Sequence, residues 1–452
     1  MLFKRFESEG IAHYSYLIGD GREAAVIDPR LDCDIYVEEA CRGGYHIHHI
    51  LETHRHEDFV LGSAALALRT GAQIWHADSQ LDYRYGSVVQ DGQIWKIGRL
   101  KLEAIHSPGH TPGSMSYLLY DPDGMPWIIF TGDTLFAGDV GRVDFLGMDK
   151  APEMAGHLYD TLFNKLLPLG DGVIVCPAHG PGSVCASDIG ERMWTTIGLE
   201  RRDNPKLRVA DRDEFVAVTA KKLEYPPYFR HMEEINLEGV SFCETLPAPL
   251  TLLEFTKMMR EAIILDTRIE LAFGASHIPN SLSIWAAGLP SFVGWFLPSD
   301  KPILLVNESN DPDQVTRYLL RMGYSNIAGF LSGGMLAWHM AGRETSSIKT
   351  VAVQSLCSIL DQGEQSWILD VRSDAELEHA GTVTGAHHIH LTQLPNRMDE
   401  VPRDQTVFIF CGSGLRSMIA ASLLKREGWN NLVVVLGGLA GWRSVSCPIR
   451  KN

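Results

Sequence analysis

No two cysteines in this 452-residue chain are spaced as CxxC; the eight present, at 33, 41, 176, 185, 243, 357, 411 and 447, are scattered. That spacing argues against a structural zinc knot and a disulfide framework, so each cysteine is read as a reduced thiol. No run approaches the roughly 18 apolar residues of a membrane span, and the opening MLFKRFESEG has no apolar signal segment. A cytoplasmic protein without a membrane partner is expected. Basic residues are also in short supply, with 40 Lys and Arg against 56 Asp and Glu, a formal charge of −16. Such a surface repels a phosphate backbone, which disfavours nucleic acid as a partner and leaves small substrates.

What remains is ordinary globular material, 45% hydrophobic and 21% charged, at a length that calls for two or three domains. Up to about residue 180, short apolar runs alternate with Gly, Pro and Asp turns. AAVIDP, HHILETH, QIWHA, WIIFTGD and VIVCPAHG read as strands ending at chemically capable residues, and EDFVLGSAALALRTG and MAGHLYDTLFNKLLPL carry helical spacing between them. From about 186 to 245 a charged, Pro-punctuated stretch reads as a helical extension and linker. The chain then repeats itself at an offset of 104 residues: ILDTR around Asp266 recurs as ILDVR around Asp370, and LSGGMLAW with Trp338 recurs as LGGLAGW with Trp442. Each copy holds a strand ending in Asp, a second buried strand (PILLVN, then TVFIFC), an amphipathic helix and a Gly-Gly turn, the pattern of a small parallel α/β unit.

The first constellation lies in HHILETHRHEDF, where His54, His56 and Asp58 follow an apolar strand at spacing that lets both imidazoles face one point. His110 in IHSPGHTPGS, Asp133 after IIFTG and His179 in VCPAHGPG complete six ligand-type residues at strand ends. These residues resemble the metallo-β-lactamase fold superfamily, whose THxHxDH signature matches THRHEDF except at its last position, where Phe59 stands. SPGHTPGS, GDTLF and PAHG resemble the branch holding glyoxalase II and the persulfide dioxygenases. A phenyl ring has no lone pair, so the second-metal histidine is missing and a two-metal hydrolase site is disfavoured. A single ion on two imidazoles and one carboxylate leaves three octahedral positions open, the arrangement of non-haem Fe(II) oxygenases. The resemblance carries that triad onto His54, His110 and Asp133, with one Fe(II) per chain and zinc as a possible substitute. His56, Asp58 and His179 are then expected to orient the ligands and hydrogen-bond bound water. Arg142, in GDVGRVDF, is a candidate for the carboxylate of a thiol cofactor, and Cys185, in HGPGSVCAS, for a thiol relay near the ion.

The second constellation is VFIFCGSGLRS. Cys411 ends a buried strand, Gly412, Ser413 and Gly414 form a loop, and Arg416 and Ser417 open a helix. Inward backbone N–H groups, the helix terminus and a guanidinium favour an anion on sulfur, so Cys411 is read as a nucleophile with the loop residues, Arg416 and Ser417 binding substrate. The module resembles the rhodanese family, with LDVR early and VLGGLAGW late. A Cys-to-Arg spacing of five fits a cysteine persulfide rather than the longer phosphatase loop. At the 104-residue offset Cys411 becomes Asn307 and Arg416 becomes Pro312, so the middle module is expected to be catalytically silent.

The fold class implied is α/β multidomain: an αββα metallo-β-lactamase sandwich with its extension (1–245), then two rhodanese-like parallel-sheet domains, one inactive (246–346) and one active (347–452). The resemblance to persulfide dioxygenase–rhodanese fusions implies oxidation of a low-molecular-weight persulfide (glutathione, coenzyme A or a similar thiol) by O2 to sulfite. It also implies sulfane-sulfur transfer through Cys411 to give thiosulfate, in a homo-oligomer. A dinuclear-zinc thioester hydrolase of the glyoxalase II type and a non-enzymatic sulfur carrier are the rivals. His387, His388 and His390 lack an evident carboxylate or cysteine partner, and His46, His48 and His49 decorate a strand; neither group is placed in a site.

Overall fold

The computed structural model describes residues 1–186, 188–240, 246–362, 366–445 and 449–450. Its contacts divide the chain into two units, the first built on residues 1–244 and the second holding both repeats.

In the first unit two six-stranded sheets lie face to face. One runs in sequence order from Leu2–Ser8 to Ser87–Val88, and the other runs from Thr195–Thr196 through Ile174–Pro177, Pro126–Gly132, Met115–Tyr120 and Leu100–His106 to Ile94–Ile97. Alternation decides the layers. Tyr16, Ile18, Ala25 and Ile27 from one sheet share a core with Leu102, Tyr117, Leu119 and Phe130 from the other. The opposite face of the second sheet, with Leu118, Ile129 and Val175, packs on the helices Ala151–Thr161 and Arg212–Thr219. Helices Asp34–Gly43 and Ser63–Thr70 pack against the strand His46–Leu51 of the first sheet. The result is an αββα sandwich. The strands Glu23–Ile27, His46–Leu51, Pro126–Gly132 and Ile174–Pro177 run parallel where they are neighbours, so their C-terminal ends share a rim. The extension holds the helices Ile197–Asp203, Arg212–Thr219 and Phe229–Glu238.

The second unit contains two five-stranded parallel sheets of one topology. Their strand orders are Pro249–Leu250, Ile327–Leu331, Ile303–Val306, Ile263–Asp266, Leu282–Ser283 and Lys349–Ala352, Leu432–Leu436, Val407–Phe410, Trp367–Asp370, Ala386–His388. Leu415–Arg426, expected to be amphipathic, is instead buried continuously from Ser417 to Leu424. The middle module covers its other side: the Ser283 amide donates to Ser422 Oγ (3.1 Å), and a Cβ on Gly274 would lie 2.9 Å from Met418 Cε.

Cys41, Cys176, Cys185 and Cys411 are free thiols, but Cys357 is disulfide-bonded, which departs from the all-reduced expectation. Two cysteines, 243 and 447, lie outside the described residues. Among the described residues no helix is long and apolar enough to cross a membrane.

His277, in the middle module, stacks on Phe273 with centroids 4.0 Å apart and hydrogen-bonds its carbonyl through Nδ1 (2.9 Å). Burial pulls its pKa down to about 4. The unfolded chain therefore takes the proton first. Stability from neutral His277 is complete above the unfolded value and is lost as pH falls from 6.5 towards 4, about 3 kcal/mol in all. Urea unfolding at pH 7 and pH 4.5 should show this loss in the wild type and less of it in His277→Asn.

Candidate functional site

Each predicted metal residue sits at the parallel rim. Gly132, at φ 52°, lets the chain turn sharply at the end of its strand, and a Cβ there would lie 2.6 Å from Thr53 Oγ1. The turn delivers Asp133. Its Oδ2 lies 3.8 Å from His54 Nε2 and 3.4 Å from His110 Nε2, and all three atoms are buried without a hydrogen-bond partner. Buried polar atoms rarely go unpaired, and a cation at their meeting point would satisfy all three.

The far sides of these groups fix which atom faces inward. Thr53 Oγ1 donates to Asp28 Oδ2 (2.8 Å), so towards His54 Nδ1, 3.0 Å away, it accepts. His54 therefore carries its proton on Nδ1 and presents a lone pair at Nε2. His110 Nδ1 donates to the Arg142 carbonyl (2.9 Å), with the same result. Burial holds both imidazoles below their ordinary pKa, hence neutral. Burial opposes ionisation of Asp133, but His179 and His54 outweigh it and hold the carboxyl well below the usual range. Two neutral imidazoles and a carboxylate are a donor set that fits a divalent ion such as Fe(II) or Zn(II).

His56, Asp58 and His179 form a second buried group whose ligand atoms lie within 4.8 Å of one another. His179 Nδ1 meets Asp133 Oδ1 at 2.7 Å, and its Nε2 lies 2.8 Å from Asp58 Oδ2. Burial works against charge on His179, yet the two carboxylates raise its pKa well above 6.5. Phe59 is fully buried, its ring 4.6 Å from that of His56 and 3.9 Å from that of His13. The backbone of this loop is latched by Asn236 of the extension, which donates to the carbonyls of His56 (2.7 Å) and Phe59 (2.9 Å) and accepts from the Leu61 amide.

Cys185 lies within 4.8 Å of the ligand atoms of Asp133 and His179, with burial, then Asp58, pushing its thiol pKa up. Arg142 differs from expectation. Nε and Nη2 pair with Asp144 (2.7 and 2.9 Å), and the remaining donors reach the carbonyls of Val184, Glu224 and Leu223. All five N–H groups are used, so none is left for a substrate carboxylate; Arg142 ties the His110 loop to the extension instead.

In the last module the loop geometry follows from its neighbours. Carbonyls of Cys411, Gly412 and Ser413 accept from Leu439, Ala440 and Gly437, which turns the loop's N–H groups the other way; the Gly414 amide donates to Cys411 Sγ (3.1 Å). The Gly-Gly turn exists for this approach: at Gly438 (φ 47°) a Cβ would sit 2.2 Å from the Cys411 carbonyl oxygen. Arg416 lies beside Gly412 and makes a bidentate pair with Glu376 (2.6 and 2.6 Å). Burial pushes Glu376 up, but Arg416 and the Ser373 amide bring it to about 2. Ser417 is buried, its hydroxyl without a partner. In the middle module Asn307 stands at the equivalent strand end, its Oδ1 accepting from Thr267 (2.9 Å), and the following helix, Asp313–Arg321, starts beyond Pro312. There is no thiol in that cradle.

His387 stacks on Trp367, His388 Nε2 meets the Arg372 carbonyl (2.7 Å) and His390 meets Thr392 (2.7 Å), so they do not converge. Four residues that bear on the sites were missed in the sequence. Asp28 ended a recognised strand, AAVIDP; Thr53 precedes the first signature histidine; Glu376 is legible as the fourth residue of an S-x-x-E capping box with Ser373. Glu57 carried no local signal.

The metallo-β-lactamase superfamily model matches residues 9–179, and the rhodanese-like domain model matches 251–341 and 353–445. The mitochondrial persulfide dioxygenase ETHE1 of Bos taurus is 32% identical over 228 residues, 49% of this chain and 81% of that protein. Hydroxyacylglutathione hydrolase GloC of Haemophilus influenzae is 29% identical over 218 residues, 43% of this chain and 91% of that protein. A crystal structure of a metallo-β-lactamase from Staphylococcus aureus subsp. aureus COL is 29% identical with a TM-score of 0.66, over 73% of this chain and 98% of that one. The chain belongs to the metallo-β-lactamase superfamily, as a fusion in which two rhodanese-like domains follow the metallo-β-lactamase domain.

Proposed function

We propose that this chain is a persulfide dioxygenase with a sulfurtransferase module, oxidising a low-molecular-weight persulfide to sulfite and joining sulfane sulfur to sulfite as thiosulfate. The observation that carries the reading is the convergence of three unpartnered, buried atoms, His54 Nε2, His110 Nε2 and Asp133 Oδ2, beside a phenyl ring where a second-metal histidine belongs. One Fe(II) per chain, for which zinc can substitute, would supply adjacent sites for persulfide sulfur and O2. The limits of the three domains fall at 245/246 and 346/347.

The chain's own residues then have defined tasks. Asp28 and Thr53 orient His54, the Arg142 carbonyl orients His110, and His179 holds Asp133 through Oδ1, leaving Oδ2 for the ion. His179 stands between two carboxylates, Nδ1 on Asp133 Oδ1 and Nε2 2.8 Å from Asp58 Oδ2. His56 packs against His54, their ring centroids 3.9 Å apart. Cys185, beside Asp133 and His179, is the candidate thiol relay, a role that burial of its thiol opposes. The net oxidation is RSSH + O2 + H2O giving RSH and sulfurous acid, the outer sulfur supplying the four electrons that reduce O2.

Cys411 thiolate takes the outer sulfur of a persulfide, releasing the donor thiol, and sulfite attacks that sulfur to release thiosulfate and regenerate the thiolate. Gly414 N–H and the loop hold the anionic sulfur, with Gly412, Ser413, Arg416 and Ser417 forming the wall. Joining the two activities raises the effective concentration of sulfite at the loaded cysteine. The thiol carrier is glutathione, coenzyme A or a similar compound, and the protein acts as a homo-oligomer in the cytoplasm.

A second reading, thioester hydrolysis on two zinc ions, draws on the His56, Asp58 and His179 group and on the GloC relative. An oxygen electrode separates the readings. Glutathione persulfide should drive uptake of one O2 per sulfite formed. Hydrolysis of S-lactoylglutathione with no persulfide-dependent uptake would overturn the proposal.

A further inference from the structure

Beside the triad stands a residue that no part of the reading above uses. Glu57 is fully buried, and its Oε2 has no hydrogen-bond partner. Its other oxygen has only a long contact with Arg55 Nη2, 3.4 Å, and that guanidinium is shared with Glu233 at 3.3 Å. The ligand atoms of His54, Glu57 and His110 all lie within 4.8 Å of one another, and Nε2 of each of these two histidines faces Asp133 Oδ2. A buried carboxylate oxygen without a donor is costly, and a cation in reach removes the cost.

Position in the loop explains why Glu57 can do this. His54, His56 and Asp58 alternate along THRHEDF; the imidazole of His56 and the carboxylate of Asp58 belong to the second group, on the His179 side. Glu57, between them in sequence, groups with His54 and His110.

We propose that Glu57 is a fourth protein ligand to the ion held by His54, His110 and Asp133, giving a two-histidine, two-carboxylate set with two open positions rather than three. This rests on the metal-site reading above. Two open positions still accommodate a sulfur and O2. The added carboxylate favours hard divalent ions and their higher oxidation state.

The test uses the full chain, stripped of metal by chelation and titrated anaerobically with Co(II) against a chromophoric competitor, with the Co(II) ligand-field spectrum as a second readout. Glu57→Ala and Glu57→Gln should each weaken Co(II) binding at least about 10-fold and alter the spectrum, with the thermal unfolding of the metal-free Gln variant unchanged. Unchanged affinity and spectrum in the Gln variant, the near-isosteric one, would overturn the proposal even if the Ala variant fails to fold. His110→Ala in the same titration separates the two levels. If it loses Co(II) while the Glu57 variants keep it, only the role of Glu57 fails; if it too binds as the wild type, the metal-site reading fails with it.

Discussion

Cys411→Ala should lower thiosulfate formation from sulfite and a persulfide donor by roughly 10³-fold, the scale seen when a nucleophile is removed and only binding remains. Oxygen uptake should be unaffected, because no atom of the triad depends on Cys411. The size of the effect follows from the loop: its carbonyls are held by the amides of Gly437, Leu439 and Ala440, and the Gly414 N–H lies 3.1 Å from the sulfur. Serine in the same place would keep those hydrogen bonds yet carry no sulfane sulfur, so Cys411→Ser should be equally inactive in transfer. Mass spectrometry after treatment with a persulfide checks the step, with a gain of one sulfur on the wild type and none on either variant. Transfer that survives in Cys411→Ala would move the role elsewhere, Cys185 being a thiol beside the metal group.

His110→Ala should do the converse. One of the convergent donors is lost, the ion is retained at least about 100-fold more weakly, and persulfide-dependent oxygen uptake disappears at ordinary iron concentrations. Transfer through Cys411 should persist. Reconstitution with excess Fe(II) should recover little activity, because Nε2 of His110 is one of the nitrogens facing Asp133 Oδ2 and a cavity cannot replace a lone pair. If uptake is normal in His110→Ala, the assignment of the triad is wrong.

Much of this arrangement was legible because the chemistry sits at strand ends. Strands announce themselves through apolar runs, and turn residues mark where they stop, so His54, Asp133 and His179 could be placed on loops at one rim, and Cys411 at a strand end of its own module, before their contacts were known. The 104-residue repeat made the second module readable from the first, including Asn307 in the place of Cys411. What could not be read was pairing at long sequence separation. Arg142 looked available for a substrate because nothing in GDVGRVDF reveals that residues 184, 223 and 224 return to its guanidinium. The helix Leu415–Arg426, expected to be amphipathic, is apolar nearly all round from Met418 to Leu424 and is buried on both sides, with the middle module against it. Glu57 reads as a polar residue between two ligand types, and only the fold turns it towards His54 and His110.

Phe59 marks the point on which the account turns. Its ring occupies the neighbourhood of His56 and His179, and it supplies no donor for a second ion. Anaerobic purification followed by metal analysis per chain tests this most directly. The account predicts one iron per chain, with zinc displacing it in the same one-to-one ratio, and two ions per chain, bridged through Asp133, would contradict it.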